Sequence, residues 1–247
     1  MRCQSAQAPP RRLATSHFEI AQGDVREHLD NLAVFDEAWA LRVLHNIASG
    51  INQLHQADVF HQDVKPSNVL LVEGGSKLGD LGRSFDKSLP SPHRDNLIPG
   101  DTNYVPPECI YAFFGLDRTM HSKAMDLYHL GSMVMFMFTK VSMTASIASH
   151  LDPQFMPPEW GGTFDEVLPH LRDAFDASIS DLEIDLPDWL KSEIPQLVRQ
   201  LCDPDPRLRG NAKRPVGSGA RLSAEFFVSR FDFLAQKAEI ELRRAMR

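Results

Sequence analysis

The sequence is poor in cysteine. Only Cys3, Cys109 and Cys202 are present among 247 residues. An odd number of widely separated cysteines fits neither a disulfide framework nor a zinc ribbon. The sequence therefore predicts a protein of a reducing compartment, and we expect it in the cytoplasm.

Long apolar runs and an excess of positive charge are also lacking. The most apolar stretch, residues 127–138, is too short to span a bilayer, and residues 1–11 have no signal-peptide core. The net charge is −7, from 33 acidic and 26 basic residues, whereas nucleic-acid and anionic-membrane binders are usually basic. We expect neither partner, and we interpret residues 127–138 as a helix buried in protein.

The residues that are present predict a mainly helical α+β fold. Hydrophobic residues make up 43% of the chain, which is typical of a globular protein. Asp36 is a suitable N-cap for a helix to about Gln56, whose apolar residues recur at steps of three and four. The segments 69–72 and 77–78 flank Glu-Gly-Gly-Ser and predict a β-hairpin.

Two helices are predicted near the C-terminus. A helix capped by Ser192 is expected to finish at Leu201, and another to follow a cap at Ser223. We interpret residues 152–187 as acidic and irregular. The remaining segments are predicted as a disordered N-terminus (1–11), a linker (210–222) and a C-terminal helix (223–247).

Polar residues flank the predicted hairpin. Asp63, Lys65 and Asn68 precede its first strand, and Asp80 follows its second strand. Because a hairpin brings its outer ends together, we expect these four side chains to converge. Carboxylate and amide oxygens suit Mg²⁺, an ammonium group attracts phosphate, and a remaining carboxylate can accept a proton from a hydroxyl. This set favours metal-assisted phosphate chemistry.

Five motifs in order resemble those of the large, C-terminal lobe of a eukaryotic-type Ser/Thr protein kinase. HQDVKPSN (61–68) is similar to the catalytic loop and DLG (80–82) to the metal-binding motif. PPE (106–108) resembles the end of the activation segment, and DLYHLG (126–131) the buried helix that anchors the catalytic loop. CDPDPR (202–207) resembles a late motif whose arginine pairs with the glutamate of PPE.

The resemblance divides the chain and implies a reaction. It implies a kinase-like large lobe at 12–209, with a hinge remnant (13–21), a catalytic loop (61–68) and an activation segment (80–108). The small hairpin would carry the metal-binding loop. The family transfers the γ-phosphoryl group of ATP, with Mg²⁺, to a serine or threonine hydroxyl of a protein substrate.

Roles follow residue by residue from the resemblance. Asp63 would be the catalytic base, and Lys65 would contact the transferred phosphate. Asn68 and Asp80 would hold the Mg²⁺ ions that bridge the ATP phosphates. The backbone of Glu19 and Ala21 would bond the adenine.

Four further residues would be structural. His61 would pack inside the catalytic loop, and Asp126 would tie the loop backbone to the buried helix. Glu108 and Arg207 would form a buried ion pair.

Two departures from the family pattern modify these expectations. Gln62 replaces the arginine that normally receives an activation-loop phosphate, so we expect no need for that phosphorylation. Nothing before Leu13 resembles the Gly-rich loop or the lysine strand that cover ATP. We therefore expect a truncated kinase that is inactive or barely active, with an exposed apolar cleft face that a protein partner could cover.

Two other functions stay open. One is a non-catalytic, pseudokinase-like binding or scaffold module. The other is a small-molecule phosphotransferase related to the aminoglycoside and choline kinases. Lys65 and the PPE segment disfavour the second, because those enzymes usually lack a lysine two residues after the catalytic aspartate.

Overall fold

The computed structural model describes residues 20–88 and 101–245. The predicted disordered segment 1–11, Glu19 of the predicted hinge and residues 89–100 of the predicted activation segment lie outside the described residues.

Helices dominate the described residues. In chain order they are α1 (Val25–Asn31), α2 (Glu37–Gln56), α3 (Pro107–Ile110), α4 (Arg118–Thr139), α5 (Met143–His150), α6 (Phe164–Asp185), α7 (Ile194–Cys202) and α8 (Glu225–Ala245). The strands are short: β1 (Gly23–Asp24), β2 (Val59–Phe60), β3 (Val69–Val72), β4 (Gly75–Leu78) and β5 (Phe85–Asp86). The prediction of a mainly helical α+β fold is confirmed.

The strands form two small antiparallel sheets. β3 and β4 make the predicted hairpin, with Val69 opposite Leu78 and Val72 opposite Gly75, and β1 pairs with the other edge of β3. β2 pairs with β5, which places Phe60 opposite Phe85. The segment between β2 and β3 is therefore held at both ends, and so is the turn between β4 and β5.

Helix α2 forms where its sequence pattern predicts it. The carboxylate of Asp36 accepts a hydrogen bond from the backbone N–H of Trp39 (3.0 Å), which satisfies an otherwise free donor at the helix start. The apolar face of α2 packs most extensively against α8. Arg42 adds ion pairs to Asp232 and Glu239 of α8, both at 2.9 Å. The C-terminal helix thus shares the core of the rest of the molecule.

Helix α4 runs through the centre of the molecule. Every residue from Ala124 to Met137 is buried, which confirms a buried helix over the most apolar stretch. Gly131 faces Cys202 and Leu201 of α7, and a Cβ at this glycine would collide with both side chains. The missing side chain lets α4 and α7 approach closely, so the loop after α7 reaches the side of α4.

The prediction of an irregular segment over 152–187 is wrong. Residues Phe164–Asp185 form α6, which starts with a capping box between Thr163 and Glu166. Its buried residues recur at helical spacing, and burying this face outweighs the cost of Pro169 near the helix start. Acidic residues on the solvent side and the internal proline concealed this pattern in the sequence.

The N-cap prediction for α7 also needs correction. The N-cap of α7 is Glu193, not Ser192, and it makes no side-chain capping bond. Residues 210–222, predicted as a linker, form a closed loop in which the N–H of Asn211 bonds the carbonyl of Arg221 (2.8 Å). The Arg221 guanidinium donates in turn to the carbonyls of Leu208 and Arg209.

Within the described ranges, no single helix is long and apolar enough to cross a membrane. Helices α4 and α5 meet the length and composition criteria only as a pair, bent by 77°.

Candidate functional site

The segment 61–68 is held by a buried carboxylate of α4. Asp126 accepts hydrogen bonds from the backbone N–H groups of His61 (3.0 Å) and Gln62 (2.7 Å) and from Nε2 of His55 (2.8 Å). Burial alone would raise the pKa of Asp126, but the His55 and Gln62 bonds outweigh it and hold the pKa below its ordinary value. The carboxylate therefore stays charged and fixes Gln62 in a left-handed conformation (φ 62°).

His61 connects this segment to the end of the hairpin. Its Nε2–H donates to the carbonyl of Gly79 (2.9 Å), and its Nδ1 accepts from the backbone N–H of Asp63 (3.3 Å). The N–H of Gly79 also bonds the carbonyl of Asn68 (2.8 Å). The structure thus brings the residue before Asp80 against the segment that carries Asp63 and Asn68.

Asp63 lies at the centre of a small charged cluster. Its Oδ2 is 3.1 Å from Nδ2 of Asn68, 3.3 Å from Nζ of Lys65 and 3.9 Å from Nε of Arg83. The exposed fraction of the side chain rises from 4% in Asp63 to 19% in Lys65 and 43% in Arg83. The predicted convergence of four side chains is therefore present for Asp63, Lys65 and Asn68, whereas the fourth, Asp80, bonds within its own turn.

Arg83 is the member of this cluster that sequence reasoning missed. It lies in the GDLGR segment, next to the predicted metal-binding motif. The residue types there gave it no role, because its approach to Asp63 depends on the turn between β4 and β5.

Asp80 occupies the start of that turn. Its backbone is left-handed (φ 53°, ψ 73°), and its Oδ1 accepts the N–H of Gly82 (3.1 Å). Aspartate tolerates this conformation because its short side chain can bond locally. The rest of the carboxylate is exposed at the hairpin end.

The oxygen donors at this edge suit a hard divalent cation. The amide nitrogen of Asn68 donates both to the backbone carbonyl (2.8 Å) and to Oδ2 (3.1 Å) of Asp63. This orients the amide so that its oxygen is left as an acceptor. Together with the Asp80 carboxylate it offers the ligand chemistry that Mg²⁺ prefers.

A second cluster of potential metal ligands is already satisfied without a metal. Glu108, Cys109 and His121 lie close enough to share an ion, which their spacing in the sequence had not indicated. However, Arg209 binds both oxygens of Glu108, and burial, with the Glu108 charge, raises the pKa of the Cys109 thiol. A neutral thiol and an occupied carboxylate are poor ligands, so we assign no metal here.

The predicted Glu108–Arg207 ion pair is wrong. Glu108 pairs instead with Arg209, through two bonds of 2.6 Å, and both side chains are fully buried. Arg207 faces outward and pairs with Asp205 (2.7 Å) and Asp165 (2.8 Å). The late motif contains Asp-Pro twice in succession, so it can be aligned with the family motif in two ways. Only the later alignment places its arginine, Arg209, in the interior.

The remaining predicted residues lie at the edge of the described chain. Ala21 precedes β1, where the N–H of Gln22 bonds the carbonyl of Leu71 (2.8 Å). Leu81, in the turn after Asp80, has 48% of its surface exposed. Its exposure agrees with the expectation of an apolar cleft face, and the adenine contacts of Glu19 and Ala21 stay a prediction.

Comparison with known proteins identifies a family. A family model described as the protein kinase domain matches residues 13–217. The chain is 28% identical over 162 residues to Aurora kinase of Schizosaccharomyces pombe, covering 60% of this chain and 43% of that protein. Over 189 residues it is 25% identical to Aurora kinase of Debaryomyces hansenii (76% and 39% covered), and over 176 residues 27% identical to Wee1-like protein kinase of Oryza sativa (70% and 27%). Each match spans less than half of the relative's length.

Proposed function

The chain belongs to the protein kinase family, and on this basis we propose that it transfers the γ-phosphoryl group of ATP to a serine or threonine hydroxyl of a protein. The observation that carries the proposal is the arrangement around Asp63. A buried carboxylate, an ammonium group and an oriented amide converge there, and a second carboxylate lies at the hairpin end.

Asp63 accepts the proton of the acceptor hydroxyl. Its N–H bond to His61 and its contacts with Asn68 and Lys65 hold the carboxylate in place. Lys65 presents its ammonium group to the transferred phosphoryl group. Such a base contributes about 10²–10⁴-fold to the rate.

Asn68 and Asp80 would hold Mg²⁺ through their side-chain oxygens. The metal, when bound, neutralises the charge of the nucleotide phosphates. Asn68 also positions Asp63, because its amide nitrogen bonds both the backbone and the side chain of that residue. One amide therefore connects the base with the metal ligands.

Binding of Mg·ATP tests this proposal. Calorimetry on the 247-residue chain should detect Mg·ATP, and Asp80→Asn should weaken the affinity by about tenfold or more because the amide has lost the ligand charge. Asp63→Asn should keep the binding and lower phosphoryl transfer to a protein substrate by about 100-fold or more.

Two results would contradict the proposal. Absence of Mg·ATP binding would favour the non-catalytic binding module. Binding with transfer that Asp63→Asn does not reduce would show that the base is another residue.

A further inference from the structure

Two cations, rather than one, face the carboxylate of Asp63. Lys65 and Arg83 approach the same oxygen, Oδ2, at 3.3 and 3.9 Å. Asn68 also donates to this oxygen at 3.1 Å. Two cations therefore lie against one carboxylate oxygen, and cations at a partly buried site attract an anion.

The contact with Asp63 does not satisfy the hydrogen-bond donors of Arg83. The 3.9 Å separation from its Nε exceeds hydrogen-bond distance, so the contact is only electrostatic. Within residues 20–88 and 101–245, the terminal amino groups of Arg83 contact no other residue. Arg209 provides the contrast, because its guanidinium makes two bonds of 2.6 Å to Glu108.

The position of Arg83 is fixed by the backbone around it. The turn Leu81–Arg83 follows Asp80, and the N–H and hydroxyl of Ser84 both bond the carbonyl of Leu81 (3.0 and 2.7 Å). The next residue, Phe85, is buried and stacks on Phe60 across the β2–β5 pair. The guanidinium is therefore presented by the same hydrogen-bonded turn that carries Asp80.

We propose that Arg83 binds a phosphate oxygen of the nucleoside triphosphate beside Lys65, so that the two cations hold the phosphate chain next to Asp63. This inference rests on the proposed kinase function and adds a catalytic residue to it. A guanidinium suits the role because its planar donors match two phosphate oxygens at once. The half-exposed side chain leaves these donors accessible to a ligand.

Calorimetry with three probes tests the inference: Mg·ATP, Mg·tripolyphosphate and adenosine. Arg83→Ala should lower the affinity for both polyphosphates by about tenfold, which corresponds to the loss of a charge-assisted hydrogen bond. The affinity for adenosine should not change. Arg83→Lys should recover part of the loss. Lys87→Ala is the matched control, because it removes one positive charge from an exposed position in the same segment and should change the affinities by less than about twofold. Thermal unfolding checks that each variant is folded.

The outcomes separate this inference from the function on which it rests. If the wild-type chain binds Mg·ATP and Arg83→Ala binds both polyphosphates equally well, the inference is wrong and the kinase proposal stands. If Arg83→Ala binds them more tightly, Arg83 blocks the site and the inference is again wrong. A loss of affinity confined to an acidic acceptor peptide would assign Arg83 to the protein substrate instead. If the wild-type chain binds no polyphosphate, both proposals fail.

Discussion

Two carboxylates of this protein are paired with arginine in opposite ways. Glu108 and Arg209 are both fully buried, and each oxygen of the carboxylate has its own guanidinium donor. Asp63 is also nearly buried, but its two cations, Lys65 and Arg83, are 19% and 43% exposed. The first cluster is neutral and closed, whereas the second holds two cations against one carboxylate oxygen and opens to solvent.

The difference separates a structural pair from a reactive one. A closed pair can bind nothing more, so its contribution is to hold the segment after residue 101 against α4 and the loop after α7. An open cluster stabilises the fold little, because exposed ion pairs contribute about 0–1 kcal/mol. Its unsatisfied donors are available for a ligand.

The largest expected effect comes from breaking the closed pair. Glu108→Ala should lower the free energy of unfolding by about 3–5 kcal/mol, because it leaves the Arg209 charge buried without a partner. Denaturant unfolding followed by circular dichroism measures this change.

Arg207→Ala is the matched control for that experiment. Arg207 is 38% exposed and pairs at the surface with Asp165 and Asp205, so its removal should cost less than about 1 kcal/mol. Equal losses in Glu108→Ala and Arg207→Ala would contradict the distinction between the closed and the outward-facing arginine.

A smaller effect is expected from His129, whose pKa responds to charges of both clusters. This residue of α4 is buried, and burial lowers its pKa to about 4 from an ordinary value of 6.5, although Asp126, Asp63 and Glu108 oppose the shift. Between pH 6.5 and 4 the unfolded chain binds the additional proton and the folded chain does not. The free energy of unfolding should therefore fall as the pH falls through this window, by about 3 kcal/mol from His129.

The pH dependence can be assigned with a non-titrating variant. His129→Gln should flatten the curve of unfolding free energy against pH between 6.5 and 4. Some slope will remain, because burial also lowers the pKa of His121, which acts in the same direction. An unchanged slope in His129→Gln would show that His129 is not the group responsible.

The open cluster should respond weakly to stability measurements and strongly to binding measurements. Asp80→Asn keeps an oxygen that can accept the N–H of Gly82 and tolerates the left-handed backbone. The free energy of unfolding should change by no more than about 0.5 kcal/mol, while Mg·ATP affinity falls. A loss of stability comparable to that of Glu108→Ala would mean that Asp80 is a structural residue.

Local sequence signals predicted the parts of the fold that depend on neighbours along the chain. The Asp36 cap and the spacing in α2 specify a helix without help from the rest of the molecule. The turn residues between Val72 and Ser76 likewise specify the hairpin, and with it the meeting of Asp63 and Asn68 with the segment before Asp80.

The predictions failed where the structure depends on contacts between segments that are distant in the sequence. Pro169 disfavours a helix locally, and only the burial of the apolar face of α6 overrides it. The choice between Arg207 and Arg209 depends on which residue the chain delivers to Glu108, a hundred positions earlier. Arg83 was overlooked for the same reason, since its meeting with Asp63 joins two segments through the hairpin and the β2–β5 pair.

The smallest effect is expected from removing activation-loop phosphate. The family uses a guanidinium at position 62 to bind that phosphate, whereas Gln62 is neutral and its Nε2 donates to the hydroxyl of Ser122 (2.7 Å). Phosphatase treatment of the chain isolated from eukaryotic cells should change Mg·ATP affinity and phosphoryl transfer by less than about twofold, because no strong local partner for the phosphate exists at this position. Gln62→Arg supplies such a partner and should make both quantities sensitive to the same treatment. A large loss in the wild-type chain would mean that another cation receives the phosphate, and repeating the treatment on Arg83→Ala would show whether that cation is Arg83.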